Sequence, residues 1–228
     1  MKVSVIIPAY NEEKYISKVL ESLMNQTIRP DEIIVVDNNC QDKTAAIAKK
    51  FGATVITEKK QGITPARNKG FDSAKFEILA RCDADVILPK DWIAKIIKDF
   101  KKGDIDALSG PVIYYDSVLK HVSTVPSRVY LEALRFSTGG NRCLIGMNMI
   151  LTQKIWKKVK KYVTLEDSRV HEDVDISLKI LKVGGKIGYD NSLVVKASSR
   201  RMVSKPGSFF LEYPIRMLKT FLANRPSN

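Results

Sequence analysis

The sequence predicts an α/β fold with a mostly parallel central sheet flanked by helices. Three observations carry that expectation. Short, unbroken apolar runs alternate with segments of helical periodicity four times before residue 100. The connections are short, as in successive strand–helix units of a parallel sheet. Polar clusters follow the first, second and fourth runs, at the strand ends where open α/β sheets bind ligands.

Val3 to Ile7 reads as a strand buried on both faces, ended by Pro8-Ala9-Tyr10-Asn11. Ile16, Val19, Leu20 and Leu23 have helical spacing, with Asn11 as the expected N-cap. Glu32 to Asp37 is the second strand, and Asn38 to Asp42 a polar loop. A short helix from Asp42 or Thr44 reaches Phe51, Gly52 ends it, and Ala53 to Thr57 is the third strand. Gly62 precedes a helix that carries Arg67 and Asn68. Phe76 to Ala80 is the fourth strand, and it delivers Asp83-Ala84-Asp85. Asp91 to Phe100 is a further helix, with Ile93, Ile96, Ile97 and Phe100 on one face.

Beyond residue 100 the alternation breaks. Asp106 to Tyr115 reads as one strand, and residues 116–138 give no clear pattern. Cys143 to Leu151 is apolar around Asn148. The basic run Lys157-Lys158-Val159-Lys160-Lys161 reads as a solvated helix face. His171-Glu172-Asp173-Val174-Asp175 opens a helix with Val174, Leu178 and Leu181 inward, where acids in the first turn suit the helix dipole. Lys186 to Lys196 holds one or two strands. Leu211, Ile215, Leu218 and Leu222 form a helical stripe among basic residues. That tail either lies on a membrane interface or packs back on the core.

Composition narrows the partners. The chain has 228 residues and a formal net charge of +13, which favours anionic partners. Cys40, Cys82 and Cys143 are far apart, with neither a disulfide framework nor a zinc pattern, so a cytoplasmic setting is expected. The first turn lacks the glycines of a dinucleotide-binding loop, and no GxxxxGK[ST] loop occurs. A phosphate-bearing ligand therefore needs side chains and a cation. Asp83 and Asp85 offer oxygen ligands of the kind Mg2+ or Mn2+ takes. An Asp-x-Asp pair also ends many strands simply as a polar turn.

Five blocks carry a resemblance: Val5-Ile6-Ile7-Pro8-Ala9-Tyr10-Asn11-Glu12, Ile34 to Asn39 with Asp42 and Thr44, Gly62 with Ala66-Arg67-Asn68 and Gly70, Asp83-Ala84-Asp85, and Glu172-Asp173. In this order they resemble the family-2 inverting glycosyltransferases. The resemblance implies a GT-A (Rossmann-like) domain over residues 1–200, with a nucleotide-binding half (1–100), an acceptor-side half (101–200) and a basic amphipathic tail (201–228). It implies a UDP- or GDP-sugar donor and a divalent cation. Pro8, Ala9, Tyr10, Asn11, Glu12, Asp37, Asn38 and Gly62 would hold the nucleoside. Asp83 would face the ribose or uridine side or share the metal with Asp85. Arg67 would contact the base or diphosphate, and Arg200 and Arg201 would close over the diphosphate. Asp173 would be the general base, supported by Glu172, and His171 a further metal ligand, an acceptor contact or a plain capping residue.

Asn38 and Cys40 stand where the family often has Asp and Ser, which leaves uracil and guanine both open. The QxxRW motif and membrane spans of the processive members are absent from the sequence, so transfer of one sugar is expected. The acceptor would be a sugar, glycan or polyprenyl-linked hydroxyl, with peripheral contact at the cytoplasmic face of an anionic membrane. Nucleic acid is not expected, because no recognition motif accompanies the basic charge. A nucleic-acid-binding protein and a catalytically inactive sugar-nucleotide binder are the alternatives.

Overall fold

In the structure, a computed structural model, the described residues are 1–116, 132, 134–136, 138–200 and 213–224. Four parallel strands build the first half: β1 (Val3–Ala9), β2 (Glu32–Asp37), β3 (Thr54–Thr57) and β4 (Ile78–Arg81). β6 (Ala107–Ser109), β8 (Met149–Thr152) and β9 (Ile187–Tyr189) extend this sheet, in the order β3-β2-β1-β4-β8-β6-β9. β8 runs antiparallel to both β4 and β6. A second sheet has the order β5-β10-β7, from β5 (Val86–Ile87), β7 (Val112–Tyr114) and β10 (Val195–Ala197).

The period-two alternation of strands sorts the core into two layers. Val3, Val5, Ile7 and Val35 face α1 (Ile16–Met24), α2 (Thr44–Lys50) and α4 (Trp92–Lys101). Ile6, Ile34 and Val36 face α3 (Ile63–Ser73), α5 (Gln153–Val159) and α6 (Glu172–Lys182). The helical stripe Ile16, Val19, Leu20 and Leu23 is buried as its spacing predicts. In the basic run, the four lysines are exposed and Val159 is buried.

Three expectations are corrected. Asn11 does not cap α1, which begins at Ile16. Asn11 sits at a φ of 55° and its Oδ1 accepts the Gln41 N–H, while the Glu12 N–H goes to Thr44 Oγ1 at 2.7 Å. The chain is thus tied to the loop after β2 before it turns helical. The predicted strand from Asp106 to Tyr115 is two strands in two sheets. Pro111, which has no N–H to give a ladder, lies at the break, and its carbonyl accepts the Val195 N–H.

In α6 the buried residues are Val174, Asp175, Ile176, Ser177 and Ile180; Leu178 is partly buried, against α7 (Tyr213–Ala223). This helix is covered on two sides, by the sheet and by α7, so its apolar positions do not form one stripe. On α7, Met217 and Phe221 pack inward, whereas Ile215, Leu218 and Leu222 are exposed. The apolar stripe read from the sequence is therefore the outer face of that helix; Leu211 and Arg201 lie outside the described residues.

α3 crosses β1 so closely that Gly70 has no room for a side chain: a Cβ there would lie 2.3 Å from Ile6 Cγ2 and 3.1 Å from Val36 Cγ2. Overpacking of this kind costs about 1–3 kcal/mol. Gly70→Ala is expected to lower the urea unfolding free energy by that amount; unchanged stability would show that α3 is not seated as described.

Candidate functional site

The strand order reverses between β1 and β4. β2 and β3 lie to one side of β1, and β4 to the other. Such a reversal parts the connections at the carboxyl ends and opens a crevice. Here the crevice is a cleft of about 380 Å3. Pro8 and Ala9 line it from the end of β1, Tyr10 and Glu12 from just beyond, Asn38 after β2, Gly62 before α3, and Asp83, Ala84 and Asp85 after β4. His171, Glu172 and Asp173 line it from the start of α6. Residues 160 positions apart in sequence thus share one cavity.

Asn38 is buried and fully used. Its Nδ2 donates to the Glu58 and Lys60 carbonyls, each at 2.8 Å, and its Oδ1 accepts the Gly62 N–H at 2.9 Å. An aspartate could accept but not donate, so an amide suits these two carbonyls. Asp37 accepts the Cys40 N–H at 2.8 Å and is not among the lining residues; neither is Asn11.

Asp85 and Glu12 converge on one guanidinium. Arg200 Nε donates to Asp85 Oδ2 at 2.9 Å, and its Nη2 donates to Glu12 Oε1 and Oε2 at 2.5 and 2.6 Å. The guanidinium stacks 4.1 Å from the Tyr15 ring centroid. Strand register explains the meeting. β10 pairs antiparallel with β5, with Ala197 opposite Val86, so the residues after Ala197 run back past Asp85. Asp116 fastens that turn, accepting from Ser198 Oγ at 2.5 Å and from the Ser199 N–H at 2.6 Å. Asp85 already faces a cation, and its oxygen donors suit a hard divalent ion. No group of three or more His, Cys, Asp or Glu among the described residues is placed to hold a metal. Asp85, with Asp83, could therefore hold such an ion only with oxygens supplied by a ligand or water.

Beneath the cleft lies a buried ionic cluster. Arg81, the last residue of β4, is 2% exposed and donates to Glu172 and, at 2.7 Å, to Asp83 Oδ1. Arg67 of α3 is fully buried and donates to the other Glu172 carboxylate oxygen and to the Glu172 carbonyl. Arg67, expected at the donor base or diphosphate, does not line the cleft. It holds the start of α6 from below, because Glu172 is the carboxylate that compensates its buried charge. Burial lowers the pKa of Arg67; at Arg81 the Glu172 and Asp83 charges outweigh the burial penalty and raise it.

Asp173 is presented just above. Its Oδ2 accepts the Gly146 N–H at 3.0 Å, and its Oδ1 accepts the Val174 N–H at 2.8 Å and meets His171 Nδ1 at 2.6 Å. Burial would raise this carboxyl, but the His171 charge and hydrogen bond, the Gly146 N–H and Arg81 together hold it at about 2. Burial disfavours the His171 imidazolium, yet Asp173 raises its pKa. A Cβ on Gly146 would lie 2.6 Å from Arg81 Nη1 and 3.0 Å from Glu172 Oε1, so a glycine is needed where this backbone meets the cluster.

Several lining or supporting residues escape the sequence reading: Arg81, Asp116, Gly146, Asp167 and Arg216. Asp167 accepts the Ile63 and Thr64 N–H groups at 2.7 and 3.1 Å, at the start of α3. Arg81 alone left a signal, as an arginine inside an apolar strand whose charge had to be paired.

Residues 4–159 match the family description Glycosyl transferase family 2, more than half of the chain. The chain belongs to that family. An uncharacterized glycosyltransferase, MJ1057 of Methanocaldococcus jannaschii, is 30% identical over 84% of this chain and 60% of its own length. Across the first three curated relatives the matched region spans between 25% and 39% of their length. Solved glycosyltransferases share the fold. One is the mannosyltransferase PcManGT of Pyrobaculum calidifontis in complex with GDP-Man and Mn2+ (TM-score 0.69, 21% identity, 86% of this chain and 56% of that one). Another is glucosyl-3-phosphoglycerate synthase of Mycobacterium tuberculosis with Mn2+, UDP and glucosyl-3-phosphoglycerate (0.71, 20%, 100% and 81%). The mostly parallel central sheet flanked by helices matches the GT-A glycosyltransferase fold.

The Asp173–His171 pair of this family-2 chain makes stability depend on pH. Asp173 is depressed from 3.8, so its contribution is present above about pH 4 and is lost as pH falls through about 2. His171 is raised from 6.5, so its contribution is full below that value and is lost as pH rises through the raised one. The difference in unfolding free energy between wild type and Asp173→Asn is expected to peak between these limits, on the order of 2 kcal/mol. A pH-independent difference in urea titrations would exclude the pairing.

Proposed function

We propose that this glycosyltransferase transfers one sugar from a UDP- or GDP-sugar to an acceptor hydroxyl, with inversion at the anomeric carbon. The observation that carries the reading is the placement of Asp85 and Asp173 on one cleft, the first beside the strand-order reversal and the second at the start of α6. Pro8, Ala9, Tyr10, Asn38 and Gly62 line the cleft where the nucleoside would sit, and Asp83, braced by Arg81, would face the ribose or the metal. Neighbours of the same fold bind UDP or GDP-Man with Mn2+, which supports this donor class.

A divalent cation held by Asp85 would supply charge for the diphosphate oxygens. Arg200 holds the same carboxylate, and would turn to the diphosphate once Asp85 has another cation. The charge that develops on the leaving diphosphate would thereby be met by cationic groups. Across the cleft, Asp173 stays ionised at neutral pH, the form a proton acceptor requires. As the acceptor oxygen bonds to the anomeric carbon, its proton passes to Asp173. The carbon–oxygen bond to the diphosphate breaks, and its electron pair leaves with that group. A single displacement inverts the centre. Glu172 is a positioning residue in this scheme, since two buried arginines occupy its carboxylate.

The acceptor reading extends to a membrane surface. Ile215, Leu218 and Leu222 are exposed on the outer face of α7, near Lys219, in a chain of net charge +13. An exposed apolar stripe with basic neighbours suits an anionic interface, and so a lipid-linked acceptor.

Two experiments test these statements. Calorimetric titration of UDP and GDP with Mn2+ is expected to show binding of one nucleotide that Asp85→Ala abolishes and Asp173→Asn retains, while Asp173→Asn lowers turnover about 10²–10⁴-fold. Binding of neither nucleotide would refute the donor assignment, and full turnover by Asp173→Asn would refute the base. In flotation with phosphatidylglycerol vesicles, the wild type is expected to float and Leu218→Ser/Leu222→Ser to remain behind. Equal flotation would remove the membrane reading.

A further inference from the structure

Asn148 is the one polar side chain in the apolar run Cys143 to Leu151, and it is fully buried. It has no part in the chemistry above and does not line the cleft. Both ends of its amide are used. Oδ1 accepts the Trp92 Nε1–H at 3.0 Å, and Nδ2 donates to the Leu193 carbonyl at 2.8 Å. An indole N–H only donates and a carbonyl only accepts, so neither a carboxylate nor an apolar side chain could serve both. Leu193 is itself fixed. Its N–H goes to the Asp190 carbonyl at 3.1 Å, and a Cβ on Gly110 would lie 2.4 Å from its oxygen. The start of α4 and the approach to β10 are thereby tied to the residue that precedes β8.

The backbone of Asn148 closes a turn, with its N–H on the Ile145 carbonyl at 2.8 Å. Ser109 Oγ, buried at the end of β6, clamps both sides of that turn. It donates to the Asn148 carbonyl at 2.7 Å and accepts the Ile145 N–H at 3.1 Å. Gly146 and Met147 form the tip, and both line the cleft. β8 runs antiparallel to β4 and β6, so its first residue pairs with their last ones, Arg81 and Ser109, at the edge where the cleft opens. There the Gly146 N–H reaches Asp173 Oδ2. The other hydrogen-bond partners of this carboxylate, His171 and Val174, are its neighbours in sequence, and both meet Oδ1. Gly146 therefore fixes the carboxylate relative to the sheet. Oδ2, with one bond against two at Oδ1, is the oxygen with a lone pair to spare.

We infer that Asn148 is a positioning residue for the transfer reaction, acting on Asp173 through the turn at residues 145–148. This rests on Asp173 being the base, as proposed above. A buried polar network whose members are all paired holds a single arrangement. Trp92, Asn148 and Ser109 thus set where Gly146 stands. The Gly146 N–H occupies one lone pair of Oδ2 and leaves the other for the acceptor. As the acceptor oxygen bonds to the anomeric carbon, its proton goes to Oδ2, and the electron pair of the breaking carbon–oxygen bond leaves with the diphosphate.

The experiment compares Ser109→Ala and Asn148→Ser in the full chain, each alone and combined with Asp173→Asn. Ser109→Ala removes one oxygen without opening a large cavity, so it tests the turn even where Asn148→Ser unfolds. Three quantities are measured on folded protein: amide hydrogen exchange at Gly146, affinity for UDP and GDP with Mn2+, and release of nucleotide from UDP-glucose or GDP-mannose. Exchange at Gly146 is expected to quicken about tenfold or more as the turn loosens. Nucleotide affinity is expected to keep its wild-type value while turnover falls by up to about 100-fold. In the Asp173→Asn background the same substitutions are expected to lower turnover no further, because the group they position is gone. Unchanged exchange at Gly146 would overturn the inference whatever the turnover, as would full turnover by folded Ser109→Ala. A loss that adds in full to that of Asp173→Asn would overturn it too. So would a loss matched by an equal fall in nucleotide affinity, which would make the network a support of the whole cleft. Full turnover by Asp173→Asn would instead refute the base itself, and this role with it.

Discussion

Arg81 is the residue on which the two halves of this molecule depend. It is buried at the end of β4, and a buried guanidinium is tolerated only with carboxylate partners in good geometry. Its partners come from both directions: Asp83 from just beyond the end of β4, and Glu172 from the helix that carries Asp173. Arg67 completes the cluster from α3. One ionic knot thus ties the carboxylates that follow β4 to the start of α6. Removing one partner of such a cluster leaves an uncompensated buried charge, which costs several kcal/mol.

A second constraint is the small sheet. β5, only two residues long, follows Asp85 directly, and β10 pairs with it antiparallel. That pairing returns the chain from residue 197 to the mouth of the cleft, where Asp116 pins the turn and Arg200 meets Asp85 and Glu12. The cation that guards Asp85 is therefore set by register rather than by nearness in sequence. Arg200 is 26% exposed at its side chain and stacked on Tyr15.

The first hundred residues were legible because their signals are local. Val3 to Ile7 is apolar at every position, so it had to be a strand covered on both faces, and the run of such strands dictated a parallel sheet. The corrections fell where a long-range partner overrode a local preference. Asn11 is a reasonable helix cap, but Glu12 and Asn11 donate to Thr44 and Cys40 across the cleft loops instead. Arg67 sits in a motif that suggested a ligand contact, but burial and Glu172 claim it. The stripe of Ile215, Leu218 and Leu222 was open to either a membrane surface or the core, and Met217, Thr220 and Phe221 are the residues that meet α6.

By itself the sequence determined the fold class, the four strand–helix units and the carboxylates at the strand ends, because periodicity and composition act over a few residues. It also placed Asp173 in a first helical turn, where an acid is stable whatever its role. Tertiary structure alone decided which charges are spent on the fold and which face the cleft. Glu172 is neutralised by two arginines that lie 91 and 105 positions before it, and Asp173, its neighbour, is left on the cavity wall. Adjacent residues of the same charge acquire different tasks because one points at the buried cluster and the other does not. Pairing energies between groups so far apart in the chain leave no periodic trace in it.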